Sequence, residues 1–471
     1  MFIDEPLPFV KEFINQLNEG LSQGRSSIRL SRTQQTWLGF CLMGILITNS
    51  VCWAKLERAS LGNYSRAALS WMFRHAKIPW ESLLVASVRL ILTRYGLNEG
   101  VLVVDDTNRK RSKSTKRIYQ THKLFDKASS GYINGQELIV LLLVTAQVTL
   151  PVGFAFYMPD PAQSAWNKQD NQLKQQGIPK KCRPASPQPN PKYPTKLELA
   201  FTLLKDFQVN YPSFKVKVII ADAWYGTRDF LDKASVQFGG IQVISQMRCN
   251  QNLRYRGKTQ SVKSFFNRYA TVVQKLSIRG HLPPRQVQMG SARLYVNAHQ
   301  SKRFVIALQY ENESEYRYLI ASNLSWRTQD IIQAYTYRWL VEVFFEDWKL
   351  YEGWGQLAKQ PDYEGSSRSL NLSLLLDHCL LLHPQQTTRL ENQQPMVTVG
   401  SLLRRIQVES GLAWFRRLLT TTNPIEQLER LSQAIIDVFQ LVPAKKHMSS
   451  REWCRLETTK SLKYKGQTAC T

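Results

Sequence analysis

The segment "AYTYRWLVEVFFEDWKLYEGWG", residues 334–355, holds no proline and no glycine before Gly353, yet it mixes an arginine, several carboxylates and a lysine with many aromatics. Read as one helix over 331–350, it brings Tyr335, Arg338, Glu342, Glu346 and Lys349 together at steps of three and four residues. At 100° per residue these share an arc of about 80°. Leu340, Val341, Phe344, Phe345 and Trp348 fall on the other side, so the helix is expected to pack its aromatics on a core and turn a polar stripe elsewhere. A solvated face laced with i,i+4 ion pairs has the same spacing. The isolation of the stripe among aromatics, and the tyrosine in it, point to a functional face.

Two further carboxylates end short apolar runs. "VLVV" at 101–104 leads into Asp105-Asp106, and "VIIA" at 218–221 leads into Asp222. Each run is too short for a helix and apolar enough for a strand covered on both faces. A buried strand that delivers an ionised group at its carboxyl end places it in a crevice, because burying it within the strand costs too much. An ordinary turn aspartate explains either one alone. Three carboxylates far apart in sequence, two on strands and one on a helix, can hold a pair of Mg²⁺ ions for phosphodiester chemistry. The seven cysteines show no C-x-x-C pair and no histidine at zinc spacing, so thiolate or imidazole metal chemistry is not expected.

The composition agrees with an anionic partner. Lys and Arg number 62 against 36 Asp and Glu, a net charge of +26, with basic residues in every third of the chain. The longest apolar run, "WLGFCLMGILI" at 37–47, is short of the roughly 20 residues that cross a bilayer, and a buried helix is expected there. The start "MFIDEPLPFVKEF" shows no signal-peptide pattern, and the scattered cysteines suit a reducing compartment, so a cytoplasmic protein without a membrane partner is expected.

Residues 1–95 read as a helical region with a capping box at Ser31 and Gln34, fit either for DNA binding or for packing support. Residues 96–385 read as the main α/β domain, with a flexible Pro-rich loop at 159–194 and a β-rich insertion at about 249–302. Residues 386–471 read as a polar linker, helices and a basic tail from Lys445. The clusters "RKRSKSTKR" (109–117) and "RYRGK" (254–258) are candidates for phosphate contacts or simply solvated surface. Trp224 and Trp339 are expected in the core, with base stacking as the alternative.

The spacing Tyr335-x2-Arg338-x3-Glu342-x6-Lys349 resembles the Y-R-E-K signature of bacterial insertion-sequence transposases of the DDE class. "DDT" at 105–107 is similar to their first-aspartate motif, and "IIADAWYG" at 219–226 to their second-aspartate strand. The resemblance covers about 100–380. It implies a ribonuclease H-like core with a mixed five-stranded sheet, neighbouring strands for Asp105 and Asp222, and the Glu342 helix alongside. It also implies that Asp105, Asp222 and Glu342 bind two Mg²⁺ ions, with Mn²⁺ as a substitute, and that Tyr335, Arg338 and Lys349 contact DNA. The partners would be double-stranded element ends and target DNA, acted on by a homodimer. Because neighbouring strand residues point to opposite faces, one of Asp105 and Asp106 is expected at the metals; the motif favours Asp105, with Asp106 the alternative. A ribonuclease H-like nuclease, or an inactive DNA-binding remnant, would share part of this pattern.

Overall fold

The computed structural model describes residues 5–22, 28–111, 117–126, 130–269, 271–276, 284–311, 313–384 and 398–439. The short apolar runs form the centre of a sheet. β1 (Glu99–Lys110) pairs antiparallel with β3 (Gly131–Val144). The far edge of β3 is shared by β2 (His122–Asp126), along Gly131 to Gly135, and β4 (Thr149–Tyr157), along Glu137 to Val144. On the other side of β1 lie β5 (Lys215–Ala221) and then β6 (Gln242–Met247), both parallel. Parallel neighbours need crossovers; α6 (Pro161–Gln175) and α7 (Lys196–Asn210) precede β5, and α8 (Arg228–Gln237) joins β5 to β6. The order β4-β3-β1-β5-β6, with three antiparallel and two parallel strands, is the ribonuclease H-like mixed sheet, and the strands that carry Asp105 and Asp222 are neighbours as expected.

The sheet does not stop at five strands. β12 (Arg317–Ala321) takes the free edge of β6, and β11 (Ser301–Tyr310) and β10 (Arg285–Val296) follow it. β7 (Asn252–Tyr255), β8 (Lys258–Ser261) and β9 (Val272–Leu276) complete a twelve-stranded sheet among the described residues, with α9 (Val262–Phe266) beside them. The strands after β6 thus continue the main sheet and cover an edge that would otherwise be open to pairing.

Alternation along β1 builds two cores. Leu102 and Val104 pack with α7 and α8 through Ala200, Leu203, Phe207, Phe230 and Leu231. Val101 and Val103 face α10 (Thr328–Thr336), α11 (Trp339–Tyr351) and α12 (Tyr363–Leu381) through Ile331, Val341, Phe344, Trp348 and Leu374. Trp348 stacks between Phe344 and Trp354, with centroids 5.4 and 4.9 Å away, and its indole N–H donates to Ser373 Oγ at 2.7 Å. Truncating such a residue costs about 3–5 kcal/mol.

The N-terminal helices are α1 (Pro8–Ser22), α2 (Arg32–Thr48), α3 (Trp53–Ala59), α4 (Arg66–His75) and α5 (Trp80–Arg94), and the Ser31–Gln34 capping box is formed. α2 is buried nearly all round; among the described residues no single helix is long and apolar enough to cross a membrane. These helices share a core with α12 and with the start of α13 (Val399–Thr420). Two compact units are resolved, 1–416 and 417–471. In the second unit the described part is the end of α13 and α14 (Pro424–Val438); the stretch at 386–397 and the basic tail lie outside the described residues.

Three expectations need correction. The single helix over 331–350 is two: at Tyr337 and Arg338 the amides of Tyr337, Arg338, Leu340 and Val341 bond three residues back, each at 3.1 Å. Three-residue bonding advances about 120° per residue, so the chain is wound more tightly where α10 passes into α11. The loop at 159–194 contains α6, capped by Asp160 with Pro161 in its first turn, a start signal that the polar composition obscured. Trp224 and Trp339 are exposed rather than in the core. Trp224 follows Asp222 in a surface turn, and Trp339 begins α11 just past the kink.

Candidate active site

Asp105 is not at the end of its strand. β1 continues to Lys110 against β3, whereas its parallel pairing with β5 ends at Val104–Ala221. The crevice therefore opens where β5 stops and β1 runs on, outside the carboxyl end of a parallel pair. Asp222 is the next residue of the neighbouring strand, and its carboxylate accepts from the Ala223 amide at 2.6 Å. Asp105, Asp106 and Asp222 each offer an oxygen within 4.8 Å of the other two.

The faces of β1 separate the two adjacent aspartates. Asp105 continues the side of Val101 and Val103 and meets the kinked helix: Arg338 donates to Asp105 Oδ2 at 2.8 Å and to Glu342 Oε1 at 3.1 Å. Glu342 is about half exposed and joins Asp105 only through this arginine. Asp106 continues the side of Leu102 and Val104, where Lys196, the first residue of α7, bonds Asp106 Oδ2 and Glu137 Oε1, both at 2.6 Å. Burial pushes the Asp105 carboxyl up to about 7; Arg338 pulls it down, and Asp106 and Asp222 push it further up.

Tyr335, on α10, lies half-buried near Arg338 with its hydroxyl 3.5 Å from Gln246 Oε1, and burial raises its pKa. Lys349 lies on α11 with its ammonium 5.6 Å from the Phe345 ring centre; burial, then Arg109, lower its pKa. Of the "RKRSKSTKR" cluster, Arg111 is a structural residue. Its guanidinium sits 4.4 Å over Trp354 and donates to Gln136 Oε1 and to the Trp354 carbonyl, and burial and Arg109 bring its pKa down to about 9. Ser112–Lys116 lie outside the described residues. Arg254 of the second cluster covers the Tyr295 ring at 4.2 Å, and Arg256-Gly257, both at positive φ, turn the β7–β8 hairpin.

The family model described as DDE superfamily endonuclease matches residues 17–264, more than half of the chain. The chain belongs to the DDE superfamily endonucleases. A second model, transposase DDE domain, matches residues 184–358 and takes in Asp222 and Glu342. The expected DDE class is thereby borne out. A solved structure titled "Drosophila P element transposase strand transfer complex" is similar over 52% of this chain and 51% of that one, at 10% identity and a TM-score of 0.23. The chain thus spans about half the length of that relative, and at that score the likeness adds nothing to the fold. No curated protein matches.

DDE transposases use divalent metal ions, and the residues here fit one. Carboxylate oxygens are what a hard divalent cation takes, and the described cluster is made of them alone. The Tyr225 hydroxyl, wholly buried, has no partner among the described residues and feels Asp106, Asp105, Glu137 and Asp222. It is an unmatched donor beside the aspartate cluster. Sequence reasoning missed Lys196, Glu137 and Tyr225. The lone carboxylate in the apolar run "ELIVLLLV" was the available signal for Glu137, whereas Lys196 looks like any lysine at a helix start.

Proposed function

We propose that this DDE endonuclease is a bacterial insertion-sequence transposase acting as a homodimer in the cytoplasm. It binds the double-stranded ends of its own element, hydrolyses a phosphodiester at each to free a 3′ hydroxyl, and joins those hydroxyls to target DNA by transesterification. In the second step one phosphodiester forms for each one broken. The observation that carries this reading is the side-by-side placement of Asp105 and Asp222 with Arg338 linking Asp105 to Glu342. Asp105, Asp222 and Glu342 would hold two Mg²⁺ ions, with Mn²⁺ as a substitute, which when bound activate the attacking oxygen and neutralise the leaving one.

The chain's own groups do the rest. Arg338 has a guanidinium fork suited to a phosphate, and a phosphate that takes it frees both Asp105 and Glu342 for a cation. Lys349 supplies a point charge two turns beyond Glu342, and Tyr335 a hydroxyl one turn before Arg338. The +26 charge supports a polyanion as partner, and affinity for duplex DNA should fall steeply with salt.

The test is an assay with a labelled duplex that carries the DNA flanking the coding region, with and without Mg²⁺. A transposase cuts at the element end and joins the freed 3′ end to a second duplex. Cutting without joining would leave a nuclease, and binding without either would leave an inactive remnant.

A further inference from the structure

Asp106 poses a problem that the three-carboxylate reading leaves open. Its carboxylate lies within the same 4.8 Å as those of Asp105 and Asp222, so proximity alone would make it a fourth ligand. What distinguishes it is Lys196. The ammonium reaches Asp106 Oδ2 and Glu137 Oε1 at 2.6 Å each, and it is boxed in by the rings of Tyr157 and Trp224, whose centres lie 5.2 and 5.3 Å away. Its position is fixed from the backbone outward. Thr195 and Glu198 form a capping box that starts α7 at Lys196, and Glu137 is held in the β1–β3 register opposite Asn108.

We propose that Lys196 is a positioning residue that withholds Asp106 from the metal cluster and so sets which carboxylates bind the ions. The inference rests on the reading of Asp105 and Asp222 as ion ligands. A lysine ammonium is a compact cation with three donors, and here two of them face carboxylates while aromatic faces occupy the remaining sides. It therefore serves as a resident cation for Asp106 and Glu137 on the α7 side of the sheet. Asp105, on the other side, is left to share its charge with Arg338, a longer and more exposed partner, and with any ion that enters. The pairing also answers a steric question: four carboxylates around one ion position would bind it tightly but leave fewer open positions for phosphate oxygens and water. Keeping Asp106 aside preserves those positions.

The experiment is Mn²⁺ titration of the full chain without DNA, followed by electron paramagnetic resonance of free Mn²⁺, on wild type, Lys196→Met, Lys196→Arg, Asp106→Asn, Asp105→Asn, Asp222→Asn and the Lys196→Met/Asp106→Asn double variant. Asp106→Asn alone should stay within about threefold of wild-type affinity. Lys196→Met should bind at least about tenfold tighter as Asp106 joins the cluster, and in that background Asp106→Asn should remove the whole gain. Lys196→Arg, which keeps the charge and can reach both carboxylates, should titrate as wild type, a result that also covers the case in which the Met variant folds poorly. Additive effects of the two substitutions, or a loss of affinity in Asp106→Asn alone as large as in Asp105→Asn, would overturn the inference. Mn²⁺ binding unchanged in Asp105→Asn and Asp222→Asn would instead overturn the assignment of the ion ligands on which it rests.

Discussion

On the face of the sheet that packs α11, Arg338 lies between Asp105 and Glu342; on the face that packs α7, Lys196 lies between Asp106 and Glu137. Two adjacent residues of β1 thus each reach a cation clasped by a second carboxylate. The clasps differ in closure. Glu137 is 14% exposed and rooted in a central strand, and Lys196 is walled by two rings; Glu342 is 47% exposed on a helix that starts at a kink. A buried pair that loses one partner leaves an uncompensated charge, so the Lys196 clasp is costly to open. A half-exposed pair gains little from its contact and gives it up readily to a better partner. The same motif is thus closed at Glu137 on one side and open at Glu342 on the other, while Asp105 itself is buried.

The largest effects belong to the carboxylates. Alanine at Asp105, Asp222 or Glu342 should abolish cleavage of an end-bearing duplex while binding stays within about threefold, because phosphate contacts dominate affinity; gel-shift and single-turnover cleavage on the same preparations check both halves. Next, Arg338→Ala should slow cleavage on the order of 10–100-fold through misplacement of the scissile strand, and a pre-nicked end should restore part of the rate. Identical failure of Arg338→Ala and Glu342→Ala on every substrate would erase the distinction between gripping DNA and holding ions.

A pH test probes the open side without DNA. Folding raises the Asp105 pKa to about 7 from an ordinary value near 4, so the folded protein holds an extra proton between those limits. That contribution to stability is complete below about pH 4 and is lost as pH rises through about 7. Metal-free thermal unfolding should therefore show Asp105→Asn gaining on wild type from pH 5 to pH 8, by a few kcal/mol at most, and a divalent ion should narrow the gap by stabilising wild type. A constant offset across pH would mean that Asp105 is not the strained group. The smallest effect belongs to Glu346, exposed on α11 beyond both clasps: Glu346→Gln should leave cleavage within about twofold and stability within about 0.5 kcal/mol. A larger loss would restore the unbroken stripe that its spacing suggests.

Much of this was legible in the chain because the signals are local. The runs around Val101–Val104 and Val218–Ala221 are strands, the Ser31 capping box starts its helix, and the aromatics of 341–348 face a core, each for reasons contained within a few residues. Where local signals conflicted, reading failed. Asp160-Pro161 started a helix inside a stretch whose composition looked like loop, and the kink at Tyr337–Arg338 hid because spacings of three and four suit both kinds of helical turn.

The sequence by itself determined which residue types are available for chemistry: carboxylates after apolar runs, an arginine one turn before a glutamate, a surplus of positive charge, and no clustered thiols. Alternation along β1 also determined that Asp105 and Asp106 would part, since side chains on a strand repeat every second residue. Which of the two faces meets which helix was decided only by tertiary structure. It depended on where β5 ends beside β1, on α7 crossing one face with Lys196 at its start, and on the kink that aims Arg338 across the other. The tight turn at Tyr337–Arg338 is local, but the β1–β5 pairing, the Lys196 contacts and the Arg338–Asp105 bond each join segments more than 50 residues apart, fixed by sheet order and by the packing of helices on two separate cores.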